Sequence, residues 1–127
     1  MAAEQGDVKA QYRGAVCYDK GIGVKQSLSD AASWYRVAAE QRDVKAQYPV
    51  AVCYDKGIGV KSLLDAAGWY REAAEQRDAK AQYSFAVCRE KCYGVTRSRV
   101  AAVSWYKKAK ANGNEDAKTA LSRLGEL

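Results

Sequence analysis

Ala15–Lys25 reads AVCYDKGIGVK, and Ala51–Lys61 reads the same eleven residues again. Upstream of each copy, Asp7–Tyr12 and Asp43–Tyr48 both read DVKAQY. A looser third copy begins at Asp78 as DAKAQYSFAVCREKCYGV. Trp34, Trp69 and Trp105, followed by Tyr35, Tyr70 and Tyr106, hold the register at spacings of 35 and 36 residues. Self-similarity at this period marks a stacked-repeat architecture, because one unit alone cannot bury its apolar faces. Units at roughly 3–38, 39–73 and 74–109, with a half-unit at 110–127, fill residues 1–127 as a single repeat domain.

Each unit carries two helical stretches. The first runs from about Asp7 to Lys20 and is alanine-rich, with Asp7 placed to cap its start and Gly21 to end it in the left-handed region. Gly21–Ser27 reads as a turn. The second runs from about Leu28 to Gln41, where Leu28, Ala31, Ala32, Tyr35, Ala38 and Ala39 follow the i, i+3, i+4, i+7 rule. No period-two alternation supports a strand. The expected fold is all-α: a solenoid of antiparallel helix hairpins, with alanines at the seams and Trp and Tyr filling the space between neighbouring hairpins. Asn114–Leu127 repeats the first helix of a fourth unit and forms a C-terminal cap, with Leu121 and Leu124 facing back and Lys118, Arg123 and Glu126 facing water. Met1–Gln5 offers only the tail of a second helix at the other end. Three readings of that end stay open: a piece of a longer array, self-association through an uncapped N-terminal face, or tolerated exposure.

Composition narrows the function. The 127 residues contain no histidine, which removes Ser-His-Asp triads, Cys-His dyads and His metal sites. No G-x-x-x-x-G-K-S/T loop or G-x-S-x-G elbow occurs. Gly21-Ile-Gly and Gly57-Ile-Gly are turn glycines, too short to cradle a nucleotide. The opening residues do not resemble a signal peptide, and no apolar run is long enough to span a membrane. The four cysteines, Cys17, Cys53, Cys88 and Cys92, are therefore read as free thiols of a cytoplasmic protein. Cys17, Cys53 and Cys88 hold one position in successive first helices and read as small core residues. Cys88 and Cys92, four apart, could meet or share a metal, but two ligands make a thin case for zinc. No metal, cofactor or catalytic residue is assigned.

The spaced Gly-x-Gly-Val and Trp-Tyr elements resemble the Sel-1-like repeat, a relative of the tetratricopeptide repeat. The first unit matches at Ala10, Tyr18, Gly21, Gly23, Val24, Ala31, Trp34, Tyr35, Ala38 and Ala39. The second matches at Ala46, Tyr54, Gly57, Gly59, Val60, Ala66, Trp69, Tyr70, Ala73 and Ala74. The third keeps Ala81, Gly94, Val95, Ala102, Trp105, Tyr106, Lys108 and Ala109. The resemblance implies a right-handed superhelix and a non-catalytic adaptor that binds protein. Four departures stand out: Ser27 and Ser98 replace a loop aspartate, the second unit is one residue shorter before Trp69, Cys92 replaces a glycine, and Pro49 sits early in a helix. Cys92 is expected to end its helix differently, and Pro49 to kink or delay its own.

Binding is expected on the concave face lined by the first helices. Three ladders recur there: Lys9, Lys45 and Lys80; Gln11, Gln47 and Gln82; Lys20, Lys56 and Lys91. Arg13, Pro49 and Ser84 vary at one position of the frame, where partner specificity could be written. The formal charge of +6 is uneven: residues 1–38 carry +1, residues 39–73 zero, residues 74–109 +5 and residues 110–127 zero. Arg89, Lys91, Arg97, Arg99, Lys107 and Lys108 supply the basic third unit. The candidate binding residues are Lys9, Arg13, Lys45, Lys80, Ser84, Arg89, Lys91, Arg97 and Arg99, with an acidic protein as the expected partner. A polyanion such as nucleic acid is the alternative, disfavoured because the aromatics are tied to the repeat frame and so are not free to stack on bases. A thiol-based enzyme is the third reading.

Overall fold

The computed structural model describes residues 8–58 and 62–127. The Asp7 cap, the Met1–Gln5 tail and the repeat positions Gly59 and Val60 lie outside the described residues. Those described form seven helices and no strand: α1 (Val8–Lys20), α2 (Leu28–Glu40), α3 (Val44–Lys56), α4 (Leu63–Glu75), α5 (Ala79–Lys91), α6 (Arg99–Ala111) and α7 (Glu115–Arg123). Two compact units divide the chain, Met1–Ser62 and Leu63–Leu127. In the first, α2 packs on both α1 and α3; in the second, α4, α5, α6 and α7 pack in succession.

The helix ends follow from their side chains. Asp43 Oδ1 accepts the Lys45 amide at 3.0 Å, Asp78 Oδ1 accepts those of Lys80 and Ala81 at 3.0 and 3.2 Å, and Asn114 Oδ1 accepts that of Ala117 at 2.8 Å. Ser27 and Ser98 are caps too: their hydroxyls accept the amides of Asp30 and Ala101 at 3.2 and 3.1 Å. A serine is as good an N-cap as an aspartate, so these two departures cost the helix nothing. Gly21 and Gly57 end α1 and α3 with φ of 68° and 73°. Cys92, in the same place, adopts φ 62° and returns its amide to the Cys88 carbonyl. The expectation of a different ending is corrected: the helix keeps its geometry and Cys92 bears the strain. Pro49 does not delay α3 either, because the Asp43 cap starts that helix at Val44 and it runs the same 13 residues as α1.

The core is made of alanine and aromatic rings. In the second unit Ala86, Ala102, Val103, Tyr106, Ala109, Ala117, Ala120 and Leu121 form one buried cluster, with Tyr83, Val87, Trp105 and Leu124 against it. Tyr35, Tyr70 and Tyr106 are buried, whereas Trp34, Trp69 and Trp105 are only half-buried. Trp105 meets Phe85 of its own repeat edge-on, ring centres 5.5 Å apart, and lines one cleft with Ala74 and Glu75 of α4 in the preceding hairpin. Leu121 packs into the core and Leu124 against it, so α7 closes this unit as a cap.

Candidate partner-binding surface

Helix geometry places the ladder lysines outward. Lys9, Lys45 and Lys80 lie in the first turns of α1, α3 and α5, and all three are exposed, as is Arg13. Lys20, Lys56 and Lys91 are exposed in the last turns, where a cation also offsets the negative end of the helix dipole. Ser84 and Arg89 are half-buried, and Arg97 is exposed in the loop before α6.

The glutamine ladder is not a surface feature, which corrects the expectation. Gln11, Gln47 and Gln82 are 2%, 4% and 3% exposed. Gln82 shows why a polar residue recurs there. Its Nε2 donates to the Ala74 carbonyl at 3.2 Å near the end of α4, and its Oε1 accepts from Asn112 Nδ2 at 2.9 Å at the end of α6. One amide thus ties together two helix C-termini, which expose orphan carbonyls.

The carboxylates of the first helices are also committed. Tyr35 Oη donates to Asp19 Oδ2 at 3.0 Å, and Tyr106 Oη donates to Glu90 Oε1 at 2.7 Å. Burial and these carboxylates push both phenols well above the ordinary tyrosine range. In the third repeat a further group joins. Arg123 grips Glu90 with two bonds, Nη1 to Oε2 at 2.8 Å and Nη2 to Oε1 at 2.9 Å. That fork, helped by Tyr106 and opposed by partial burial, lowers the Glu90 carboxyl from its ordinary 4.5 to about 2. Arg123 is exposed, as expected, and at the same time latches α7 onto α5. Interior repeats have Val16, Val52 and Val87 at this place in the frame.

Arg99 acts in the same way. Its Nη2 donates to the Leu124 carbonyl at 2.7 Å and lies 3.6 Å from Glu126. It holds the C-terminal segment while its side chain stays 59% exposed, and Glu126, expected to face water, is its partner. The exposed basic residues of the third repeat, Arg99 aside, are then Arg77, Lys80, Lys91, Arg97, Lys107 and Lys108, with Lys110 at the end of α6.

Helix α6 departs most from its equivalents. Its sequence, RVAAVSWYKKAKA, holds four basic residues and no acid. By contrast α2 carries Asp30 and Glu40 against Arg36, and α4 carries Asp65, Glu72 and Glu75 against Arg71. Two clefts flank α6. One of about 500 Å³ is bordered by Glu75, Arg77, Gln82, Trp105, Lys108 and Asn112. There Lys108 Nζ sits 4.2 Å from the centre of the Trp105 ring, a cation–π contact. The other, about 420 Å³, lies along Arg99, Val100, Val103 and Lys107. Sequence reasoning missed Arg77, Trp105, Lys110 and Val100 as surface features. The signal available was the loss of acids from α6 relative to α2 and α4.

No disulfide joins the described cysteines: Cys53 and Cys88 are buried, Cys17 is half-buried and Cys92 is exposed. Burial pushes the Cys53 thiol up, which disfavours a reactive thiolate. Among the described residues, no three Cys, Asp or Glu side chains cluster as metal ligands, and no helix is long and apolar enough to cross a membrane.

Comparison with known proteins agrees with this architecture. The Sel1 repeat family model matches residues 8–43, 44–78 and 79–114. The chain is similar to a Sel1 repeat protein from Oxalobacter formigenes, at 39% identity and a TM-score of 0.85, over 96% of this chain and 92% of that one. It is also similar to c5321, a protective antigen present in uropathogenic Escherichia coli strains and displaying an SLR fold, at 36% identity and a TM-score of 0.90. That match covers 97% of this chain but 27% of the antigen. Helicobacter pylori cysteine rich protein B shares the fold at 23% identity, with a TM-score of 0.73 over 94% of this chain and 92% of that one. No curated protein matches the chain.

Proposed function

Because the chain belongs to the Sel1 repeat family, whose members are generally protein-interaction scaffolds and typically not enzymes, we propose that it is a non-catalytic adaptor holding an acidic protein partner. The candidate contacts are Lys9, Arg13 and Lys45 in the first unit, and Lys80, Ser84, Arg89, Lys91 and Arg97 in the second. One observation carries this reading: a repeated frame in which acids outnumber bases in α2 and α4 carries only bases in α6. Two carboxylates beside the third repeat's cations are already paired, Glu90 with Tyr106 and Arg123, and Glu126 with Arg99. The surface therefore presents net positive charge to a partner, which steers association and selects for acidity.

Cross-linking of the captured partner, followed by mass spectrometry, tests the reading. Cross-links should fall on Lys80, Lys91 and Lys107, and Lys91→Glu with Arg97→Glu should abolish capture while the helical circular-dichroism signal stays. Capture that survives both reversals would sink it. Self-association through the N-terminal face is a second proposal. Ala10 is only half-buried in α1, while its equivalents Ala46, Ala81 and Ala117 are fully buried. Light scattering decides it: a clean monomer at high concentration removes the idea.

A further inference from the structure

Helix α6 places Arg99, Val103 and Lys107 on one stripe at i, i+4 and i+8, with Val100 and Ser104 beside it. The cleft of about 420 Å³ along that stripe is closed on its far edge by Glu126. Val103, 9% exposed, forms the floor, while Val100 stands 84% exposed. An isolated exposed valine needs no explanation. This one sits between two cations on a helix that carries no acid, and that combination suits a particular kind of ligand.

We propose that this groove docks an acidic peptide with an apolar tip, presented by the protein partner, and that Glu126 fills part of it in the free protein. The inference rests on reading the chain as a protein-binding scaffold and adds where the partner's acidic segment sits. The occupant's chemistry is read from what already lies there. The carboxylate on the groove belongs to the chain's own C-terminal segment and stands 3.6 Å from Arg99. The two side chains of that pair are 59% and 36% exposed, and an ion pair in such a setting contributes little. It yields readily to a better carboxylate. Arg99 keeps its bond to the Leu124 carbonyl meanwhile, which fixes the guanidinium in place for either occupant.

Eight residues of helix separate Arg99 from Lys107 by about 12 Å. An extended peptide covers that distance in about four residues. Two glutamates four apart, with a leucine midway to rest on Val100 and Val103, match the groove in charge, spacing and apolar contact.

The probe is a fluorescein-labelled peptide carrying that arrangement, with serine elsewhere, followed by anisotropy. The wild-type chain should bind it, and Lys107→Glu should weaken binding about tenfold, as loss and reversal of a contacting charge does. Val100→Ser should weaken it several-fold, and Glu126→Gln should tighten it several-fold by vacating Arg99. Lys118→Glu, on the exposed side of α7, should change it less than twofold. Circular dichroism verifies that each variant is folded. The groove is ruled out if neither the wild type nor Glu126→Gln binds. Equal weakening by Lys107→Glu and Lys118→Glu would overturn it as well, since diffuse charge then explains binding. So would equal binding of a peptide with serine in place of leucine. In each of these cases partner capture and its cross-links still decide the scaffold reading separately.

Discussion

Gly23 and Gly94 hold the same place in the first and third repeats, with φ of 73° and 74°. Their surroundings differ. A Cβ on Gly94 would run into the carbonyl of Leu63 and the amide of Leu64 at the start of α4, whereas a Cβ on Gly23 meets nothing within 4 Å. The second glycine of the Gly-x-Gly-Val element therefore does two jobs, and the two positions separate them. Gly23→Ala should cost only the left-handed penalty, about 1–2 kcal/mol. Gly94→Ala should cost more than twice that, because helix backbone cannot step aside; equal losses in urea denaturation would refute the close approach. Glu90 gives a second residue-level test. Its carboxyl is lowered from 4.5 to about 2, so its contribution is complete above about pH 4.5 and is lost as pH falls toward 2. Glu90→Gln should flatten the stability–pH curve in that window and leave its shape above pH 5 unchanged. A variant curve parallel to the wild type across the window would contradict the latch.

The elements were largely legible in the sequence, because their signals are local. Periodic alanines and Gly21 placed α1 and α2 to within a residue or so of their ends. What stayed hidden depends on partners far along the chain. Arg99 and Arg123 look like any exposed arginine until α7 returns to α5 and α6, 25 and 33 residues away from the groups they bind. The glutamine ladder misleads for another reason: a repeated polar residue reads as a duplicated solvent face, yet Gln82 is buried, donating to the Ala74 carbonyl and accepting from the Asn112 side chain at two helix ends. Helix α3 offers the clearest element-scale prediction. Pro49 lies inside it and lacks the amide that would bond to the Lys45 carbonyl one turn back. Pro49→Ala should restore that bond and stabilise the chain by about 2–3 kcal/mol. An unchanged melting midpoint would mean that α3 has already absorbed the proline.

At the scale of the molecule, the first two repeats are near-copies and the third diverges in charge, in Cys92 and in the Glu90–Arg123 latch. The divergence is where the account places partner recognition, and neither composition nor fold settles it, since a solenoid frame tolerates many surfaces. The excess of positive charge serves an acidic protein or a nucleic acid alike at long range; what separates them is the dependence on salt and on particular side chains. The most direct measurement is a titration across a salt series of the purified partner and, separately, of duplex DNA, against the wild-type chain and the Lys91→Glu, Arg97→Glu variant. The account predicts that the protein partner binds, that salt weakens it moderately, that the double reversal costs at least tenfold, and that DNA binds poorly throughout. Tight DNA binding with a steep salt slope, alongside a partner indifferent to the reversal, would contradict it.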